Sequence, residues 1–166
     1  MEESMPTSRE RILALVVAEP GLHLRELPRR LGLSLRSVRY HLEVLEEDRL
    51  VVPHRSGRYE RWFGVGNLSS QDHALISALR VDSQRTVLAC LLRGGPMRFG
   101  SLDHRTASSS ATLAQSLVRL SAEGLVELGD DRHYRLRDAD AVEMRLTLYR
   151  QRFPDLIADA AREIFD

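Results

Sequence analysis

The sequence lacks several features on which whole classes of protein depend. It has a single cysteine, Cys90, among 166 residues, which excludes an internal disulfide and a multi-cysteine metal site. It has no apolar run near the roughly 20 residues that cross a bilayer. Residues 1–7 (MEESMPT) are acidic and polar, unlike a signal peptide. We therefore expect a cytoplasmic protein without a membrane segment.

Lysine is absent as well, since all 24 basic residues are arginine, and 24 acidic residues balance them to a net charge of zero. Overall charge therefore does not indicate a nucleic-acid partner, and the local distribution has to be compared instead. Residues 8–66 contain 11 arginines and 8 acids, a balance of +3. Arginine makes bidentate contacts with phosphate and guanine, so this segment is compatible with DNA binding.

The motifs of catalysis and metal binding are also missing. No Ser/His/Asp set, glycine-rich phosphate loop or pair of acids stands out, and the six histidines show no ligand spacing such as HExxH. Cys90 is expected to be a small core side chain rather than a redox sensor. We expect no enzyme activity, no metal and no cofactor.

Residues 34–51 (SLRSVRYHLEVLEEDRLV) indicate an amphipathic helix followed by a strand. Val38, Leu42 and Leu45 recur at i, i+4 and i+7 and form one apolar face. Ser34 is a suitable N-cap, and the other face of the N-terminal half is basic and hydrogen-bonding, with no acid before Glu43. Such a helix suits the major groove of DNA.

The flanking segments complete a winged helix-turn-helix pattern over residues 8–66. They are, in chain order, a helix over 9–18 capped by Ser8, a short helix over 24–31 interrupted at Pro28, a turn at 32–34, and two β-prone runs within 51–65 around HRSGRY.

A shift of 75 residues lays a second copy of this pattern on the first without a gap. It predicts helices over 83–93, about 99–105 and 109–122, a wing over 125–137, and an extra helix over 71–80 between the copies. In the first copy we expect Arg36, Ser37, Arg39 and Tyr40 to face DNA. The second copy has Ala111, Thr112, Ala114 and Gln115 at these positions. We therefore expect this copy to contribute little to DNA affinity and to serve packing, dimerisation or partner contact, although Arg119, Arg132 and Arg135 remain available for phosphate.

The chain after Ala139 is predicted to form helices, with a break or kink at Pro154. Its apolar stripe needs a covering surface, which is either the protein's own domains or, as we expect, a second subunit. The residues assigned to dimerisation are Leu146, Tyr149, Phe153, Leu156, Ile157, Ile164 and Phe165.

The block LRELPRRLGLSLRSVRYHLEVLEEDRLV followed by GRYERWF resembles the winged helix-turn-helix of ArsR-like transcriptional regulators. The whole chain is similar to archaeal regulators that carry tandem winged helices. The resemblance implies a dimeric DNA-binding regulator whose recognition helix enters the major groove and whose wing flanks it. It departs from many ArsR-like metal sensors because their cysteine pairs are absent here.

The predicted fold is mainly α with small β wings. The predicted divisions are a flexible N-terminus over 1–7, a first winged helix over 8–66, a second winged helix with an extra leading helix over 67–138, and C-terminal helices for dimerisation or interdomain packing over 139–166. The predicted DNA-binding residues are Ser34, Arg36, Ser37, Arg39, Tyr40, His54, Arg55, Ser56, Arg58, Tyr59 and Arg61.

The function expected from these features is transcriptional regulation by a homodimer bound to double-stranded DNA. The alternative is an architectural DNA-binding protein or a winged-helix scaffold that holds protein partners. The sequence does not indicate the operator, the direction of regulation or a small-molecule effector.

Overall fold

The computed structural model describes residues 4–165, with the side chain of Phe165 outside the described part. The predicted fold class is confirmed, because the chain is mainly helical with small antiparallel sheets. It divides into two compact units, the first ending at His73 and the second beginning at Ala74. Among the described residues, no helix combines the length and the apolar character that a bilayer span requires.

The first unit contains three helices and a three-stranded antiparallel sheet. Its elements are α1 (Ser8–Ala18), β1 (Leu22–His23), α2 (Glu26–Leu31), α3 (Leu35–Glu47), β2 (Val51–Ser56) and β3 (Tyr59–Gly64). The strands lie in the order β1-β3-β2. The core of this unit is apolar and includes Ile12, Val16, Leu27 and the predicted seam of α3, all essentially inaccessible to solvent.

The N-terminus of α1 corrects one expected cap. Thr7, not Ser8, is the N-cap: its hydroxyl accepts from the Glu10 amide at 3.3 Å, and the Glu10 carboxylate accepts from the Thr7 amide at 2.7 Å. This reciprocal pair is a capping box, which satisfies two amides that a helix start would leave unpaired. Thr7 is thus part of the helix start and not of the segment 1–7 predicted to be flexible, while residues 1–3 lie outside the described residues.

Pro28 does not interrupt the second helix, as the sequence had suggested. It lies in the first turn of α2, where backbone amides have no intrahelical partner, so the missing donor costs nothing there. The helix ends instead at Gly32, whose φ of +67° is left-handed and whose amide donates to the Pro28 carbonyl. A left-handed C-cap favours glycine because it has no Cβ.

The second unit also has three successive helices followed by a two-stranded hairpin, but among its described elements no strand corresponds to β1. After α4 (Ser70–Leu79), which spans the division between the units, come α5 (Asp82–Gly94), α6 (Phe99–Arg105), α7 (Ser110–Ala122), β4 (Val126–Leu128), β5 (Tyr134–Leu136), α8 (Ala139–Arg152) and α9 (Pro154–Phe165). Ser109 caps α7 by accepting from the Thr112 amide at 3.2 Å, as Ser34 caps α3. The predicted helix and strand positions of this unit are confirmed to within one or two residues. That the unit is a winged helix in its own right stays a prediction.

The C-terminal helices cover each other and the second unit. Phe153 leaves the helical conformation (φ −135°, ψ 65°), and Pro154 begins a new helix, which confirms the predicted break. Helix α9 packs on α5 and α8. The side chains assigned to dimerisation are consequently buried within the chain: Leu146, Tyr149, Phe153, Leu156, Ile157 and Ile164. Phe165, the remaining one, has its side chain outside the described part.

The burial of this stripe corrects the sequence-based assignment of its residues. In this conformation they are not available to a second subunit, because α5, α8 and α9 already supply the covering surface. A homodimer stays a prediction, and it requires other residues.

An ionic cluster fixes α9 to α5. Arg85, which is 8% exposed, donates from Nε to Glu163 Oε1 at 3.1 Å and from Nη1 to the Leu79 carbonyl at 3.0 Å. Thr86 donates to the other Glu163 oxygen at 2.9 Å. Cys90 on the same helix is half-buried and, contrary to the prediction, does not belong to the core, and partial burial raises the pKa of its thiol.

Candidate nucleic-acid interface

Helix α3 presents opposite chemistry on its two sides. Val38, Leu42 and Leu45 face the core and are at most 1% exposed. Arg36 and Arg39 lie on the solvent side. Burial of this apolar seam fixes the rotation of the helix about its axis. The basic side therefore faces solvent.

The N-terminus of α3 is capped by Ser34, whose hydroxyl accepts from the Ser37 amide at 3.1 Å. The positive end of the helix dipole and two arginines thus lie within the first turns, where they favour an anionic partner such as phosphate. Ser34 is exposed and Ser37 is half-buried. These two serines therefore have a structural role, which leaves base contact mainly to the longer side chains.

A shallow groove runs along this side of the helix. It is lined by Leu35, Arg36, Arg39, Tyr40 and Glu43. Tyr40 is 59% exposed, so an amphipathic ring stands at the surface beside two guanidinium groups. This combination offers donors for guanine and phosphate and apolar surface for a thymine methyl group.

The sequence analysis missed Leu35 and Glu43 as groove residues. The spacing of Leu35, Arg39 and Glu43 at i, i+4 and i+8 would have placed them along one ridge of the helix. Carboxylates can accept a hydrogen bond from the amino group of cytosine and they repel phosphate. Glu43 therefore adds one anionic acceptor to the groove.

The wing is the hairpin of β2 and β3. The strands pair in antiparallel register from Val51 opposite Gly64 to Ser56 opposite Tyr59, with residues 57 and 58 at the tip. Gly57 has a φ of +59°, a left-handed geometry that suits glycine in a tight hairpin. The tip therefore projects Arg58 into solvent beyond the last strand pair.

The other predicted wing residues near the tip also reach the surface. Arg55 is exposed, with Nε 3.6 Å from a Glu60 carboxylate oxygen across the hairpin. Tyr59 is 44% exposed, with an edge contact to the His23 ring at 5.7 Å between centroids. Ser56 is half-buried. Because the Arg55 pair is long and exposed, it leaves the guanidinium able to exchange its partner for a phosphate at little cost.

The structure contradicts the prediction that Arg61 contacts DNA. Arg61 is 9% exposed and donates from Nη1 to the Gly21 carbonyl at 2.9 Å, which ties β3 to the turn before β1. A buried guanidinium that satisfies a backbone carbonyl stabilises the fold instead. It does not belong to the interface.

His54 is half-buried on the same side of the sheet as Arg61. Its ring makes edge contacts with Phe63 and His73, with centroids 6.4 Å apart in each case. Phe63 in turn stacks on His73 at 4.2 Å. Burial, followed by the proximity of His54, lowers the pKa of the His73 imidazole. His54 is thus placed in an aromatic cluster at the base of the wing and not at its tip.

The corresponding surface of the second unit has a different charge. Ala111, Ala114 and Gln115 occupy the solvent side of α7 and carry no cation. In the turn between β4 and β5, Asp131 binds Arg135 at 2.6 Å. Hydrogen bonds from the His133 amide and from Arg135 hold the pKa of the Asp131 carboxyl below its usual value, so the carboxylate stays charged beside that arginine. The described groups of α7 and this turn therefore do not reproduce the basic surface of α3.

The described part of the chain contains no group of three or more His, Cys, Asp or Glu side chains arranged to hold a metal ion.

A search of curated proteins gave no match. A comparison with protein-family models did give one, and it agrees with the geometry of the first unit. Residues 5–52, which run from the start of α1 into the first wing strand, match the model of a winged helix-turn-helix DNA-binding family. Over these residues the first unit is therefore similar to a winged helix-turn-helix DNA-binding domain.

Proposed function

We propose that this protein is a sequence-specific transcriptional regulator that binds double-stranded DNA as a homodimer. The observation that carries the proposal is the groove side of α3, where Arg36, Arg39 and Tyr40 stand exposed above a fully buried seam. Arg36 and Tyr40 are one turn apart and contact bases, while Arg39 lies nearer the backbone phosphates. The regulator resembles the ArsR-like type from archaea with tandem winged helices.

The wing adds contacts to the flanking backbone or minor groove. Arg55 and Arg58 supply the cations there, and Tyr59 supplies a ring at the same edge. His54 and Arg61 are left out because both are engaged below the tip. Affinity in this arrangement depends on salt, since the arginines displace counterions from the phosphates.

The second unit acts in this proposal as a second winged helix that has lost its DNA contacts. The neutral surface of α7 and the Asp131–Arg135 pair support that role. A two-fold dimer then presents two first domains to a pseudo-palindromic site with half-sites about one helical turn apart.

The test begins with selection of binding sites from a random duplex library, followed by titration of the selected site at fixed salt. Replacing both Arg36 and Arg39 by alanine should weaken binding about tenfold or more, because a good bidentate base contact is worth about 1–3 kcal/mol. The matched control replaces Arg98 and Arg162, two exposed arginines of the second unit, and removes the same charge. Equal affinity of the α3 double variant and the parent would show that this surface is wrong.

The same experiment distinguishes the second candidate function, an architectural protein or scaffold, which the neutral total charge and the uncharged face of α7 favour. A selection that yields no motif, with binding lost at modest salt, identifies non-specific DNA coating. Absence of DNA binding identifies a protein scaffold.

A further inference from the structure

Helix α8 carries apolar side chains on two opposite sides. One side, formed by Val142, Leu146 and Tyr149, is buried. The other side exposes Met144 (69%) and Leu148 (47%), which are four residues apart and so lie one above the other. At 100° per residue, this pair points about 150° away from the middle of the buried side. These two residues form a small continuous apolar surface on this side of the helix.

The exposed pair is flanked by opposite charges at the same spacing. Asp140 lies four residues before Met144, and Arg152 lies four residues after Leu148, and both are exposed. We call these four residues, Asp140, Met144, Leu148 and Arg152, the outer stripe. Arg152 lies with Cζ 5.1 Å from the centroid of the Phe153 ring, which holds its guanidinium at the C-terminal end of the helix.

The outer stripe is complementary to itself under a two-fold rotation. When two copies of α8 lie antiparallel, a two-fold axis midway between Met144 and Leu148 brings Met144 beside Leu148 of the second copy. The same rotation brings Asp140 beside Arg152 of the second copy, and each pair occurs twice. Rows of residues spaced by four pack into the matching grooves of another helix at a crossing angle of about 50°. An isologous contact requires this kind of self-complementarity.

We propose that a second copy of this chain docks on the outer stripe of α8, so that two antiparallel α8 helices form the core of the homodimer interface. The proposal rests on the homodimer of the proposed function and identifies its surface. The charge order selects this occupant, because an acid at one end and an arginine at the other match an antiparallel copy of the same helix. A parallel partner would place like charges together.

The size of the contact sets the expected affinity. Stable interfaces bury roughly 1,200–2,000 Å², and one 14-residue helix from each copy supplies less than that. We therefore expect a free dimer with a dissociation constant on the order of micromolar, which DNA with two half-sites would strengthen by holding both copies together.

The experiment is a charge exchange followed by sedimentation analysis of the full chain without DNA, over concentrations up to about 100-fold above micromolar. D140R and R152D each place like charges together twice per dimer, so each should raise the dissociation constant about tenfold. The double variant D140R/R152D restores opposite charges and should return to within about threefold of the parent. D159R, an exposed charge reversal on α9, is the matched control and should leave dimerisation unchanged.

A second variant tests the apolar part without affecting the core. M144E/L148E replaces only exposed side chains, so circular dichroism should show an unchanged fold while the dimer is lost. A parent that is monomeric at every concentration would overturn both this proposal and the homodimer. If the parent is dimeric but its dissociation constant is unchanged by the charge exchange, or if M144E/L148E still dimerises, only the outer stripe would be overturned.

Discussion

The ionic cluster between α5 and α9 makes the stability of the second unit sensitive to one carboxylate. In Glu163→Gln, the shape of the side chain is kept while its charge and one acceptor oxygen are lost. The glutamine oxygen can still accept from Arg85 and its amide group can donate to the Thr86 hydroxyl, but the negative charge behind the 3.1 Å and 2.9 Å bonds of the carboxylate is lost. We expect the unfolding free energy to fall for that reason.

The magnitude follows from what Arg85 retains. A hydrogen bond to a charged group contributes about 1.5–3 kcal/mol, and an unpaired buried ion costs more. Arg85 keeps its bonds to the Leu79 carbonyl at 3.0 Å and to Asp82 at 2.9 Å. Glu163 is itself 31% exposed, so solvent compensates for part of the loss. The expected destabilisation is therefore about 1–2 kcal/mol.

Urea unfolding followed by far-ultraviolet circular dichroism measures this change. With a slope of about 1–3 kcal/mol per molar urea, the midpoint should fall by roughly 0.3–2 M. Asp159→Asn removes an exposed carboxylate from the same helix and should stay within about 0.5 kcal/mol of the parent. The single tryptophan, Trp62, lies in the first unit, so its fluorescence reports separately on that unit. A dichroism midpoint equal to that of Asp159→Asn would refute the reasoning.

Two further predictions concern the first domain. Arg61→Ala should lower the unfolding free energy by about 1–3 kcal/mol without changing the salt dependence of DNA binding. Arg58→Ala at the exposed wing tip should leave stability unchanged and reduce the salt slope of DNA binding by about one. DNA titrations across salt concentrations measure both slopes, and a reduced slope for Arg61→Ala would contradict its structural role. Burial and the nearby His54 hold the pKa of His73 below its ordinary value of 6.5, so the unfolded chain binds the proton more tightly. The stabilising contribution of neutral His73 is complete above that ordinary value and is lost as the pH falls through the folded pKa. The free energy of unfolding, measured by Trp62 fluorescence between about pH 8 and 5, should decrease more steeply in the parent than in His73→Phe, and identical slopes would show that this imidazole does not contribute.

Local signals in the sequence were sufficient for the elements themselves. The spacing of Val38, Leu42 and Leu45 predicted the buried seam of α3, and Ser34 predicted its cap, because both depend on residues within a turn or two of each other. Pro154 predicted the break after α8 for the same reason. Ser8 was the wrong choice of cap, because Glu10, three residues after Thr7, completes a capping-box pattern that the sequence already contains.

The sequence by itself determined which sides of the helices are apolar and which carry the arginines of the candidate DNA surface. It did not determine which surface covers each apolar side or which cations stay exposed. Arg61 is buried because a carbonyl 40 residues away in the chain, on Gly21, lies within reach of its guanidinium. The stripe of α9 is covered by α5 and α8, which leaves Met144 and Leu148 as the exposed apolar pair of α8. The spacing of apolar residues is a property of a single helix, whereas the surface that covers them comes from segments distant in the chain. Only the tertiary structure therefore decided which apolar sides are covered.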